Sequence, residues 1–323
     1  MSPPRGQLIE LIEQGDIPAE KVGEALEVAR IFPDGRAWRT FIDHLLLWLG
    51  GLSLAFAAVF FIAYNWYDLG RFAKFGMVEG LLVLAIVVYC RLDERSVAGK
   101  MALLAATIFL GVLLGLYGQT YQTGADTWQL FFTWALLMLP WTVMGRFPTL
   151  WIVWAALVNT AIILYYETFR GIFWFVSGSE SGMLWLTFFF NTLLLAAWEL
   201  LTGTWQWLAE RWALRLLATG GGVPMTWLVL NAIFDKHAGG LLPALAWALW
   251  LASMYLIYRR AKPDLFMLAG CCLSGITVVV CFLAKHLLVH ENSGAFLLLS
   301  MVVVGMGAAA AFWLKNVHRE LQA

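Results

Sequence analysis

Charge is scarce in this chain. Asp, Glu, Lys and Arg make up 13% of its 323 residues, and 21 bases are balanced by 21 acids. With no net charge there is no bulk attraction to a polyanion, and no nucleic-acid-binding motif is present, so nucleic acid is not an expected partner. Cysteine is scarce too. Cys90, Cys271, Cys272 and Cys281 all lie in apolar runs, with no CxxC pair and no zinc spacing. Neither a disulfide framework nor a structural metal is indicated. A nucleophile elbow, a phosphate-binding loop, an HExxH helix and a paired-aspartate motif are also missing. An enzyme is therefore not the favoured reading, and no cofactor is expected. The first apolar run begins near Leu45, too late for a cleaved signal peptide. Targeting then falls to the first span itself.

What the chain does have is apolar length. Hydrophobic residues make up 61% of it, gathered into runs of about 20 residues, long enough to cross a bilayer core as helices. Helices satisfy their own backbone hydrogen bonds where lipid cannot. The expected fold is all-α, a polytopic transmembrane bundle of about ten spans. They fall at 45–64, 72–90, 101–117, 128–145, 148–166, 183–201, 214–234, 241–258, 265–284 and 295–314. Residues 1–38 form a short cytosolic helical hairpin ahead of a transmembrane domain at 39–323. In the hairpin, Pro18 suits the first turn of a helix in which Val22, Ala25, Leu26 and Ala29 recur at helical spacing. It reads either as a docking or regulatory element or as a solvated pair of helices packed on the membrane domain. Ten spans divide into five plus five, the count of an inverted repeat, although no motif aligns between the halves.

Orientation follows from the connections. Sixteen of the 21 bases lie on the side of the N-terminus, and only Arg71, Lys74, Arg170, Lys236 and Lys285 lie opposite. The positive-inside bias makes both termini cytoplasmic. The stretch Tyr117-Gly118-Gln119-Thr120-Tyr121-Gln122-Thr123-Gly124-Ala125-Asp126-Thr127-Trp128 then faces outside. It concentrates amides, hydroxyls and one carboxylate between two apolar runs, without a single base.

That loop supplies the first candidate site residues: Gln119, Tyr121, Gln122, Thr123 and Asp126, turned by Gly118 and Gly124. Asp126 has two readings, a helix cap for the fourth span or a ligand or proton site. Glu79 lies about seven residues into the second span, about 10 Å deep at 1.5 Å per residue. A carboxylate there must be neutralised, paired or wetted. It reads equally as a proton or cation site or as a buried structural hydrogen bond. Asn65, Asp68 and Asn159 join the candidates at the same outer level, as does Asn231, each asparagine also being open to an interhelical hydrogen bond. Asn191 lies deeper, and Glu199 sits where it can reach water. His286 and His290, four residues apart and followed by Glu291, are weak metal candidates on one helical face. Gly220-Gly221-Gly222-Val223-Pro224 marks either a broken helix at a site or a kink with close packing. Gly305, Gly307 and Ala308 to Ala311 look like a small-residue packing face.

Phe61-Ile62-Ala63-Tyr64-Asn65-Trp66 followed by Leu69-Gly70-Arg71-Phe72-Ala73-Lys74-Phe75, together with Gly118 to Asp126 and the trailing Trp128, Leu130, Phe131 and Trp134, resembles a bacterial family of predicted membrane proteins, domain of unknown function 2157. The resemblance covers roughly residues 5–145. It implies an inner-membrane protein with an N-terminal cytosolic segment, in contact with membrane lipids and with other membrane or periplasmic proteins as partners. It implies no activity. Two functions are therefore expected to compete. One is transport or binding of a small molecule or lipid through an outward-facing polar cavity. The other is a non-catalytic scaffold or sensor subunit of an envelope complex.

Overall fold

The computed structural model describes residues 11–12, 16–28, 35–65, 67–93, 96–169, 180–235, 241–287 and 293–321. Every regular element among them is helical. A 3-10 turn at Ala19–Lys21, entered just after Pro18, leads into α1 (Val22–Val28). Then follow α2 (Gly35–Tyr64), α3 (Arg71–Arg91), α4 (Val97–Tyr121), α5 (Thr127–Gly145), α6 (Pro148–Thr168), α7 (Glu180–Leu201), α8 (Arg211–Phe234), α9 (Leu242–Leu256), α10 (Leu265–Leu287) and α11 (Ser293–Glu320).

Each of the ten predicted spans falls on one of α2 to α11. Eight of these helices are long and apolar enough to cross a membrane, so the protein is a multi-span membrane protein. The exceptions are α5 and α9. The 19 residues of α5 are diluted by Gln129, Pro140 and three tryptophans, and α9 has only 15 residues before the chain widens into a π turn at Ile257–Ala261. At the N-terminal side the first helix starts ten residues before the predicted span. Its 30 residues rise about 45 Å, more than a hydrocarbon core of about 30 Å needs. The excess is the Gly35 to His44 stretch that carries Arg36, Arg39 and Asp43.

The chain forms two compact units, Met1–Phe109 with Arg319–Ala323, and Leu110–His318. In the first, α2 buries Ala55 and Ile62, and α3 buries Lys74, Val78 and Ala85. The first half of α4 buries Met101, Leu103, Leu104, Ala106 and Phe109. Gly51 lets α2 and α4 approach, because a Cβ there would lie 2.9 Å from the Met101 side chain. Ser96 starts α4 by accepting the Gly99 N–H on its hydroxyl at 3.0 Å, satisfying one of the helix's otherwise unpaired donors. Large parts of α2 stay uncovered, among them Phe41, Leu46, Leu54 and Phe60.

The second unit is built from close helical pairs. In the α5–α6 hairpin, Arg146 turns into the left-handed region at φ 49° and Pro148 opens α6 two residues later, a position where its missing N–H costs nothing. The Trp154 indole donates across the pair to the Ala135 carbonyl at 3.1 Å. The core joins α6, α7, α8, α9 and α10 through Ala155, Leu195, Trp198, Leu214, Leu217, Met254 and Leu268, and α11 enters it with Val317. Between such helices lipid tails are as apolar as leucine, so the gain comes from dispersion and close fit rather than from removing water.

The glycine triplet is one place where that fit is close. α8 runs unbroken through Gly220, Gly221, Gly222 and Pro224, so of the two readings of the triplet the close packing holds and the broken helix does not. A Cβ at Gly220 would lie 2.8 Å from the Asn191 amide oxygen, and one at Gly222 would lie 2.8 Å from the Trp250 ring. The small-residue face predicted on the last span is corrected in the opposite sense. Gly305 and Gly307 meet nothing, because α11 attaches through its last turns, where Trp313, Leu314 and Val317 join the core.

Candidate functional site

The predicted site residues divide between the units. Asn65, Asp68 and Glu79 belong to the first, and Gln119, Tyr121, Gln122, Thr123, Asp126 and Asn159 to the second. Asn65 closes α2, its amide donating to the Phe61 carbonyl at 2.9 Å. The turn continues with the Asp68 N–H donating to the Asn65 carbonyl at 3.2 Å.

Asn159 and Asn191 form a reciprocal amide pair between α6 and α7. Asn191 donates to Asn159 at 2.7 Å and Asn159 donates back at 3.2 Å. Each amide also donates to its own helix, to Ala155 and Thr187 carbonyls, both at 2.8 Å. With every one of these N–H groups engaged inside the bundle, the pair is interhelical glue of the kind membrane helices use. The spacing of the two asparagines in the sequence carries no sign of it, because the partner is 32 residues away. A second polar junction joins α8, α9 and α10, where the Ser274 hydroxyl lies 2.7 Å from that of Thr226 and accepts from the Trp247 indole at 2.9 Å.

The polar loop is shorter than the sequence suggests. α4 continues to Tyr121, so Gln119 and Tyr121 are helical, and the Tyr117 and Tyr121 rings stack obliquely 5.0 Å apart. The turn proper uses left-handed Gln122 at φ 44° and Gly124 at φ 66°. Left-handed backbone is natural for Gly124 and unusual for Gln122. Asp126 takes the N-cap position of α5, but its side chain makes no cap hydrogen bond. Gln119, Tyr121, Gln122, Thr123 and Asp126 are all exposed, a set of acceptors and donors held outward.

Glu79 is exposed as well. α3 presents Phe72, Gly76, Glu79, Gly80, Val83 and Val87 along one uncovered face, since these positions recur at helical spacing and all are exposed. Lys74, Val78 and Ala85 occupy the opposite, buried side, so Lys74 does not share the face of Glu79. At Gly76 and Gly80 an added Cβ would meet nothing within 4 Å. The result is a small-xxx-small groove with a carboxylate in it, on the outside of a helix apolar enough to span a membrane.

His286 packs its ring edge-on against Phe282 at 4.6 Å, while His290 and Glu291 lie outside the described residues. Among the described residues no group of His, Cys, Asp and Glu is placed to hold a metal ion, and the four cysteines are free.

One cluster was not foreseen in the sequence. Glu199, expected to reach water, is only 12% exposed because three donors close over it. Lys262 approaches at 2.6 Å, the Tyr258 hydroxyl at 3.0 Å and Arg211 at 3.5 Å. Beside it Asp264, whose side chain is 2% exposed, pairs with Arg215 at 3.3 Å and caps α10 by accepting the Phe266 N–H at 3.0 Å. Lys262 is 63 residues from Glu199 and Asp264 is 49 from Arg215, so only the meeting of α7 and α8 with residues 258–264 assembles them.

Helices of this length and the polar groups held between them define a multi-span helical membrane protein. Residues 10–151, from before α1 to the start of α6, match the family described as Predicted membrane protein (DUF2157). No curated protein and no solved structure matches the chain.

Proposed function

We propose that the protein is a scaffold or sensor subunit of a membrane complex, which receives a partner's transmembrane helix on the exposed face of α3. The observation that carries this reading is Glu79. Apolar side chains turned away from the protein are at home in lipid, but a carboxylate is not, because hydrocarbon offers neither hydrogen bonds nor counter-charge. Gly76 and Gly80 beside it let another backbone come close, and a Lys, Arg or hydroxyl at the same depth would answer the carboxylate. The charge bias of the connections supports a bacterial inner-membrane location with both termini in the cytoplasm. A photocrosslinking residue at Val83 is the test. Crosslinking to one protein species, lost in Glu79→Gln, supports docking; crosslinking to lipid alone refutes it.

A second reading, ligand handling at the outward loop, is favoured by the left-handed Gln122. An exposed residue held in that conformation spends about 1 kcal/mol to aim its amide. Solute flux or ligand binding in proteoliposomes that disappears in Gln122→Gly or Asp126→Asn would favour it over docking.

A further inference from the structure

The occupant of the α3 face is narrowed by what the chain itself cannot supply. Glu79 has no hydrogen bond or ion pair among the described residues. It stands seven residues beyond Phe72, about 10 Å along the helix at 1.5 Å per residue. Arg71 opens the helix about two turns away, and Lys74 lies on the buried side. Elsewhere in α2 to α11 the Lys and Arg residues gather near the helix ends, at the polar levels of a bilayer. No base lies in the apolar middle of a described span. The chain has no counter-charge to give.

A second copy of the chain fails for the same reason. Two copies cross a membrane in one orientation, so α3 against α3 would set Glu79 beside Glu79 at one depth, and like charges repel. The N-terminal half of α11 exposes Ser300, but its hydroxyl already donates to the Leu297 carbonyl at 2.8 Å. A hydroxyl would in any case give one hydrogen bond and no charge. An ammonium or guanidinium gives both, and a charge among lipid tails is held by a partner of opposite sign. Gly76 and Gly80, on either side of Glu79 in the sequence, leave room for the apolar stem that carries such a group.

We propose that this face is filled by a helix of a different membrane protein, with one lysine or arginine in its apolar span level with Glu79. The inference rests on the docking reading and names the partner it requires. Such a base alone in lipid is as costly as the acid alone. Each helix therefore completes the other, and the pair fixes the depth and rotation at which they meet. A helix without the base leaves Glu79 unanswered, which is how the face discriminates among the many apolar spans of a membrane.

The experiment uses the full chain with a photocrosslinking residue at Val83, reconstituted in phosphatidylcholine vesicles with synthetic transmembrane peptides. The peptides share one Leu-Ala sequence and carry Lys, Ser, Glu or Leu at a single position about 10 Å inside the bilayer. The Lys peptide should give roughly tenfold more protein–peptide adduct than the Leu peptide, and Glu79→Gln should reduce it to the Leu level. Glu79→Lys should transfer the preference to the Glu peptide, a gain that loss of fold cannot produce. A Ser or Leu peptide that matches the Lys peptide overturns the proposal, and so does a Lys preference that survives Glu79→Gln. The same crosslinker in native membranes separates this inference from the docking reading. One protein adduct there, without a Lys preference in vesicles, keeps docking and overturns the charged partner. Lipid adducts alone overturn both.

Discussion

α8 and α3 use glycine in opposite ways. In α8 each member of the triplet Gly220, Gly221 and Gly222 has a neighbour standing where its Cβ would be, namely Asn191, Thr192 and Trp250. In α3, Gly76 and Gly80 have open space instead. A missing side chain in a membrane helix is useful only when a neighbour fills the room it leaves. α8 has found its occupant inside the chain, and α3 has not. The polar residues repeat the contrast. Asn191, beside the α8 triplet, is matched amide to amide with Asn159, whereas Glu79, beside the α3 glycines, is turned outward. One helix is finished by intramolecular packing, and the other is shaped for something outside.

The comparison can be broken most forcefully on the packed side. Glu199→Ala should leave Lys262 and Arg211 facing each other without their acid. Since both bases are partly solvated, the loss should be about 2–4 kcal/mol rather than more, seen as a lower melting temperature and easier proteolysis between α7 and α8. Gly220→Ala comes next. Its methyl group would collide with the Asn191 amide, costing about 1–3 kcal/mol, while Gly80→Ala in α3 should leave the isolated protein's stability within about 0.5 kcal/mol of the wild type. Equal effects from the two alanines would erase the distinction between the helices. Asn191→Leu removes the amide pair at a cost of about 0.6–2 kcal/mol, measurable by unfolding in mixed micelles, and Asn159→Leu in the same background should add little, because the interaction is shared. The smallest effect on stability is expected from Glu79→Gln, about 0.5 kcal/mol or less. Its consequence should appear only in the partner crosslink at Val83, and a large drop in stability without that loss would mean that Glu79 holds this chain together.

Much of the fold was legible because span length and hydropathy are local properties. Each of the ten apolar runs became a helix, with the ends shifting by a few residues, or by ten at Gly35 where an amphipathic stretch prolonged the first helix. Pro18 and Pro148 marked helix starts for a reason internal to proline, the donor it lacks. The candidate site was less legible. Asn159 is one of several asparagines in the sequence, and nothing local distinguishes the one that finds Asn191. Asp126 stands at the helix start that its position suggests, yet its carboxylate does not cap. Glu199 was read as an interfacial acid, when three donors from α8 and the π turn enclose it.

The sequence by itself determined that the chain is helical and membrane-spanning, and where each helix lies. Those outcomes follow from backbone hydrogen bonding in a medium that offers no other partner. The tertiary structure alone decided which polar residues are answered from within. A hydrogen bond or ion pair in the bundle depends on two helices meeting at one depth and one rotation. Asn159 with Asn191, and Glu199 with Lys262, meet in that way, while the face of α3 that carries Glu79 remains open.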